Sequence, residues 1–236
     1  MASPSVASRA EARIETDNGP KTMATATKLA PADARRVITD MDWDDYERLD
    51  DAGLYHRIAY DGTNIEMLLI LSAPHEGQAS WVDLFIWNVT SALKIRRQPM
   101  GSTTWRRKHL NRAIEPDSAY YFDPAKMAAL AAADQSKDID LYPNPDLVVE
   151  VDISRPKIDR PGIYAALQVP EMWRVRDRTV SIEHLGPDGR YIAAARSLFL
   201  PVTPADVTHW VFIEDKSDSV QWEDRLRAWA GTIAGA

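Results

Sequence analysis

The sequence predicts an α/β fold in which a mixed sheet is flanked by helices. Three patterns carry that expectation. The run Asp146–Ile153 is apolar on both faces, as a central strand covered by helices would be. Val82, Phe85, Ile86, Val89 and Leu93 keep the i, i+3, i+4, i+7, i+11 spacing of one buried helix face. Strand-like and helix-like stretches then alternate along the chain, which calls for helices packed on a sheet.

The elements follow in order. Residues 1–37 are rich in Ala, Ser, Thr and Pro with little periodicity, and are expected to form a disordered leader in which Met23 offers an alternative start. The folded domain is expected over 38–236. Asp40-Met-Asp-Trp43-Asp-Asp-Tyr46 reads as a short capped helix with acidic residues at its N-terminal end. The apolar-rich stretches His56–Tyr60 and Ile65–Ile70 flank Asp61-Gly62, a hairpin signal. Pro74-His75-Glu76 opens the long helix. Strands are expected at Gly101–His109 and Ser118–Phe122, and an Ala-rich helix at Pro124–Ala133. Beyond Asp146–Ile153 come a helix at Arg160–Leu167, a strand at Met172–Val175, a hairpin around Gly186–Gly189 and a Pro-rich crossing at Leu200–Pro204. A last helix, Val220–Ile233, carries Trp222, Leu226 and Trp229 at helical spacing. No internal repeat is apparent.

Composition narrows the function. The 236 residues, 45% of them hydrophobic and 27% charged, suit one soluble domain with a sizeable core. The absence of cysteine excludes disulfides, thiolate metal sites and cysteine nucleophiles. The most apolar stretch, Trp81–Ile95, is interrupted by Asp83, Asn88 and Lys94, so no membrane span is expected and a cytoplasmic location is. The net charge of −7 disfavours non-specific attraction to phosphate. One window opposes it: between Asp83 and Glu115 there is no acid, but there are Lys94, Arg96, Arg97, Arg106, Arg107, Lys108 and Arg112. Such a run is either a solvated basic edge or a phosphate-facing stripe.

Glu150 is the anomaly. It stands among valines on a strand that should be buried, where a carboxylate is too costly unless it is paired or holds a cation. Strand alternation places Asp146, Val148, Glu150 and Asp152 on one face and Leu147, Val149, Val151 and Ile153 on the other. Asp117, after Pro116 at the start of another strand, is the natural partner. If the two strands are neighbours, their carboxylates offer the oxygen set that magnesium or manganese prefers. Asp146, following a proline at a strand start, reads as a turn or cap residue. Glu66 is a further acid for such a site and His75 a residue that could orient water or phosphate. Each has a plain alternative, a structural ion pair or a local hydrogen bond. Tyr164 and Trp173 read as core aromatics.

Three stretches together resemble the Uma-two family of restriction endonucleases: Pro116-Asp117; Pro145-Asp-Leu-Val-Val-Glu150-Val-Asp-Ile-Ser; and Tyr164-Ala-Ala-Leu-Gln-Val-Pro-Glu-Met-Trp173-Arg-Val. The upstream Ile65-Glu66-Met and Ser72-Ala-Pro-His75-Glu fit as well, so the resemblance covers roughly residues 55–180. It implies the PD-(D/E)XK restriction endonuclease-like core and a magnesium-dependent DNA endonuclease hydrolysing phosphodiester bonds. Asp117 and Glu150 would be its metal ligands, with Asp152 a third acid. The motif lysine would fall at 152, where this chain has Asp152. The resemblance offers Arg160, on the following helix, as the basic residue near the phosphate, and Lys157 is the second candidate. Arg160, Tyr164 and Gln168 share a helix face at i, i+4, i+8. Arg96, Arg106, Arg107 and Lys108 are expected on the DNA side, and a homodimer would suit cleavage of both strands.

Two rival readings stand beside it. One is a nuclease fold that binds DNA or another partner without cutting, favoured by Asp152 and the negative charge. The other is a metal-free hydrolase with paired carboxylates, disfavoured by the apolar setting of Glu150 and the lack of an aromatic sugar cleft. The DNA sequence recognised is not legible in the chain.

Overall fold

The computed structural model describes residues 34–135 and 139–233. Its first element is strand β1 (Ala34–Ile38), so residues 34–37, expected in the leader, belong to the folded domain. The rest of the expected leader, with Met23, lies outside the described residues. Helix α1 (Trp43–Ala52) begins with a reciprocal capping box: Asp42 accepts from the Asp45 N–H while the Asp45 carboxylate accepts from the Asp42 N–H. Strands β2 (Arg57–Tyr60) and β3 (Ile65–Ile70) form the expected hairpin. Its turn needs glycine because Gly62 has φ 98, a conformation that side chains rarely adopt.

Helix α2 (Ala73–Ala92) follows, then the short strands β4 (Gln98–Pro99), β5 (Trp105–Arg107) and β6 (Arg112–Ile114), and strand β7 (Ser118–Tyr121). The strand expected over Gly101–His109 is therefore cut to its middle. Gly101 turns in the left-handed region, and Lys108–Leu110 closes into a 3-10 turn. Helix α3 (Pro124–Ala133) has the expected bounds. Strand β8 (Leu147–Val151), helix α4 (Arg160–Ala166) and strand β9 (Glu171–Arg176) make a parallel pair joined through a helix. Strands β10 (Thr179–Leu185) and β11 (Tyr191–Ala193) and helices α5 (Pro204–Thr208) and α6 (Ser219–Thr232) complete the chain.

These strands pair into two sheets. One has the order β1-β3-β2-β6-β5 and is antiparallel throughout; the other has the order β11-β10-β9-β8-β7-β4. The second is the expected mixed sheet flanked by helices. On one face Leu147, Val149 and Val151 pack with Val82, Phe85, Ile86 and Val89 of α2 and with Trp222 and Leu226 of α6. Burying each such side chain contributes roughly 1.5–3 kcal/mol. On the other face Val148 and Ala119 meet Ile163 and Tyr164 of α4, together with Trp105 and Ile114 from the first sheet. The two sheets thus share a core on the side to which β8 turns its even-numbered residues.

Candidate active site

Burial of Glu150 follows from alternation. With Leu147, Val149 and Val151 committed to the α2 side, Val148, Glu150 and Asp152 must face the α4 side. Glu150 is only 3% exposed. Its Oε1 accepts from the Tyr164 hydroxyl and lies 2.9 Å from Arg160 Nη2. Both partners come from α4, whose first residue is Arg160 and whose N-cap, Asp159, accepts from the Gly162 N–H. Tyr164, expected as a core aromatic, is buried in that core and also presents its hydroxyl to Glu150. Among the described residues Glu150 Oε2 has no hydrogen-bond partner, and neither has the buried Arg160 Nε.

The electrostatics match this half-satisfied state. Burial pushes the Glu150 carboxyl up to about 7; Arg160 opposes the rise, while Asp117 and Asp152 add to it. Burial weakens the Arg160 charge, but the carboxylate of Glu150 outweighs it, so the guanidinium stays protonated. Arg160 Nη2 also donates to the Glu115 carbonyl at 3.0 Å, which anchors it.

Asp117 precedes β7, and its N–H donates to the Val149 carbonyl, so the two strands are neighbours, the condition that the sequence left open. Its Oδ1 accepts from Arg57 Nε at 2.8 Å, and its Oδ2 from the Val151 N–H at 2.6 Å. His75 Nε2, on the first turn of α2, lies 3.4 Å from the same Oδ2. Burial raises the Asp117 carboxyl, but His75, Arg57 and Arg160 outweigh it and hold it below the usual range. Both oxygens are engaged.

Asp152 is buried beside them. Arg176 Nη2 lies 2.9 Å from its Oδ2, while Oδ1 has no hydrogen bond and lies 3.8 Å from Arg35 Nη2. Arg35, on β1, also binds Glu66 at 3.0 Å and Ser154 at 2.8 Å. Glu66 accepts in addition from the backbone N–H of Lys157. Lys157 therefore serves the site through its backbone, and its side chain is exposed. Asp146 ties the start of β8 to the turn before α3: it accepts from the N–H groups of Phe122 and Asp123 and pairs with Lys126.

Glu150 and Asp152 open onto a cavity of about 230 Å³ that is also lined by Arg155, Arg160, Arg174 and Arg176. The register pairs Glu150 with Arg174, which turns Arg174 and Arg176 of β9 toward this cavity. Sequence reasoning missed Arg35, Arg57, Arg155, Arg174 and Arg176. Only for the β9 pair was there a signal, the alternation of Trp173 and Val175 with Arg174 and Arg176. The basic window lies elsewhere. Arg106 pairs with Asp50 and Asp140, and Lys108 with Asp44 and Glu47. Arg107 is buried and donates to the carbonyls of Arg106 and Tyr142, while Arg96 is exposed ahead of β4.

A hard cation fits part of this arrangement. Among the described residues no group of three or more acids and histidines is close enough to hold a metal by itself. Magnesium does not need one, because it keeps several waters and binds through one or two carboxylates plus substrate phosphate. The buried oxygens Glu150 Oε2 and Asp152 Oδ1, which accept no hydrogen bond among the described residues, are donors of that kind.

The family model for Uma2, described as "Putative restriction endonuclease", matches residues 43–206. That span runs from α1 into α5 and holds Asp117, Glu150, Asp152 and Arg160. No curated protein matches the chain. No helix among the described residues is long and apolar enough to cross a membrane.

Proposed function

We propose, from the premise that this chain belongs to the Uma2 family of restriction endonucleases, that it is a magnesium- or manganese-dependent DNA endonuclease acting at Glu150. The observation that carries this reading is the unpartnered oxygen of Glu150, buried beside the charged Arg160 and open to a cavity. A buried carboxylate left half-satisfied is costly and calls for a missing partner.

In this reading Glu150, Asp117 and Asp152 would hold the cation, which supplies activation of water and neutralises charge on the scissile phosphate. Arg57 and His75 fix the Asp117 carboxylate from two sides, so it is pre-set rather than free to rotate. The Val151 N–H holds it against β8. Tyr164 orients Glu150 and leaves the second oxygen open. Arg160 stands where it can stabilise charge developing on phosphate, but a guanidinium that stays protonated does not accept a proton. Arg160 is thus an electrostatic partner and not a copy of the motif lysine. Cleavage of both strands would suit a homodimer.

The test is plasmid nicking with magnesium or manganese, beside Asp117→Ala, Glu150→Ala and an EDTA control. Wild type that nicks no faster than the variants ends the nuclease reading. A second reading has its own observation: the Arg160 ion pair already neutralises Glu150, and Asp152 occupies the motif-lysine position. It describes a nuclease fold that binds DNA without cutting. Calorimetry with manganese separates the two, because only the first requires heat of binding that disappears in Glu150→Ala.

A further inference from the structure

The geometry points to a phosphodiester-binding track beside Glu150, formed by Arg155, Arg174 and Arg176, along which one strand of DNA lies. This rests on the nuclease reading above and assigns the substrate-holding surface of that site. A second cavity, of about 410 Å³, adjoins the first and shares Asp152, Arg155 and Arg176 with it, continuing to Asp177. The two make one groove leading outward from Glu150. One wall is the segment between β8 and α4, with Arg155. The other is β9, with Arg174 and Arg176.

Charge selects the occupant. Arg155, Arg160, Arg174 and Arg176 line the inner part; Glu150, Glu183 and Asp152 pair with the last three, so Arg155 carries the surplus positive charge there, within a chain of net charge −7. A local excess of arginine in a concave, partly desolvated setting favours an anion, and guanidinium groups match phosphate oxygens in bidentate fashion. Arg155 is exposed and has no ion pair or hydrogen bond among the described residues. Arg160 Nε, buried and without a partner, lines the inner end. Arg174 and Arg176 stand about 7 Å apart along β9, so they reach different phosphates of one backbone. Their present partners, Glu183 and Asp152, hold them over the groove from the side.

The basic window that the sequence offered is built differently. Arg106 pairs with Asp50 of α1 and with Asp140, Lys108 pairs with Asp44 and Glu47 of α1, and Arg107 donates to carbonyls. Arg106 sits on β5 of the first sheet and Lys108 on the turn after it, and neither lines the groove beside Glu150.

The experiment is anisotropy with a short fluorescent DNA duplex in EDTA, titrated with salt, run beside plasmid nicking. It compares the wild type with Arg155→Ala, Arg155→Ala/Arg176→Ala, the corresponding lysine pair, and Arg106→Ala/Lys108→Ala. Arg155→Ala is the cleanest arm, because no hydrogen bond or ion pair among the described residues is lost. The slope of log affinity against log salt should fall by about 1 for each arginine removed, with weaker binding to every sequence. The lysine pair should recover most of the slope, and Arg106→Ala/Lys108→Ala should keep it. Wild-type slope and affinity in both alanine variants would overturn the track, as would a wild type that binds no duplex at low salt. Nicking distinguishes the failures. If wild type nicks and the arginine variants bind and nick equally well, the track falls and the nuclease reading stands. If wild type binds through these arginines without nicking, the track stands and the nuclease reading falls.

Discussion

Glu150 and Glu171 are both buried glutamates on adjacent parallel strands, yet their surroundings are opposite. Glu171 is fully buried, and both its oxygens are used. Oε1 accepts from Trp173 Nε1 and Ser197 Oγ, each at 2.6 Å. Oε2 accepts from the Leu198 N–H at 2.6 Å, with His184 Nε2 at 3.1 Å. These bonds tie β9 and β10 to the loop before α5. Glu150 has partners on one oxygen only, and the other is left bare at the end of an arginine-lined groove. A buried carboxylate whose lone pairs are filled from within is fully compensated, while one with a bare oxygen leaves part of its desolvation cost unmet.

The comparison breaks or sharpens under substitution. The largest effect is expected from Glu150→Gln: nicking should fall by about 100-fold or more, the scale of losing one preorganised electrostatic partner. Glu171→Gln should leave nicking per folded molecule intact. An equal loss from Glu171→Gln at unchanged stability would erase the distinction. Next comes the fold itself. Glu171→Ala strands several buried donors and should cost about 3 kcal/mol or more in a urea melt.

Tyr164→Phe removes one hydrogen bond to Glu150 and should cost about 1–2 kcal/mol, with nicking reduced because the carboxylate loses its orientation. A Tyr164→Phe protein with full activity would show that Arg160 alone positions Glu150. The smallest effect should come from Arg106→Ala/Lys108→Ala. These half-exposed and exposed pairs contribute about 1 kcal/mol or less between them, so a melt that shifts further would mean they carry more than surface charge.

Much of the fold was legible because its signals are local. The capping residue Asp42, the Asp61-Gly62 turn, Pro124 at the start of α3 and the apolar stripe of α2 each state their element within a few residues. Strands β1, β4 and β6 were not legible. β4 is two residues ending in Pro99, and β6 is three residues long. β1 and β4 pair only with distant strands, Leu68 for Arg35 and Tyr121 for Gln98, while β6 pairs with nearby β5 and, through Ile114, with Ala59 of distant β2. The division of the strands into two sheets follows from the same long-range pairings. The β9–β10 turn also misleads, since Asp177 and Arg178 both take positive φ without glycine. Arg178 offsets that by donating to the Phe212 carbonyl and lying over its ring.

For the site, the sequence by itself determined which carboxylates are anomalous and on which face they lie. A charge inside a valine run and a strict period of two are properties of a few adjacent residues. It also placed Arg160 one helix turn before Tyr164, and both reach Glu150. The tertiary structure alone decided the rest: that Arg57 and His75 clamp Asp117, that Arg35 from β1 binds Glu66 and approaches Asp152, and that the groove charge comes from β9 rather than the basic window. Those contacts join residues far apart in the chain, and a charge has no visible partner until the backbone has brought one within a few ångströms.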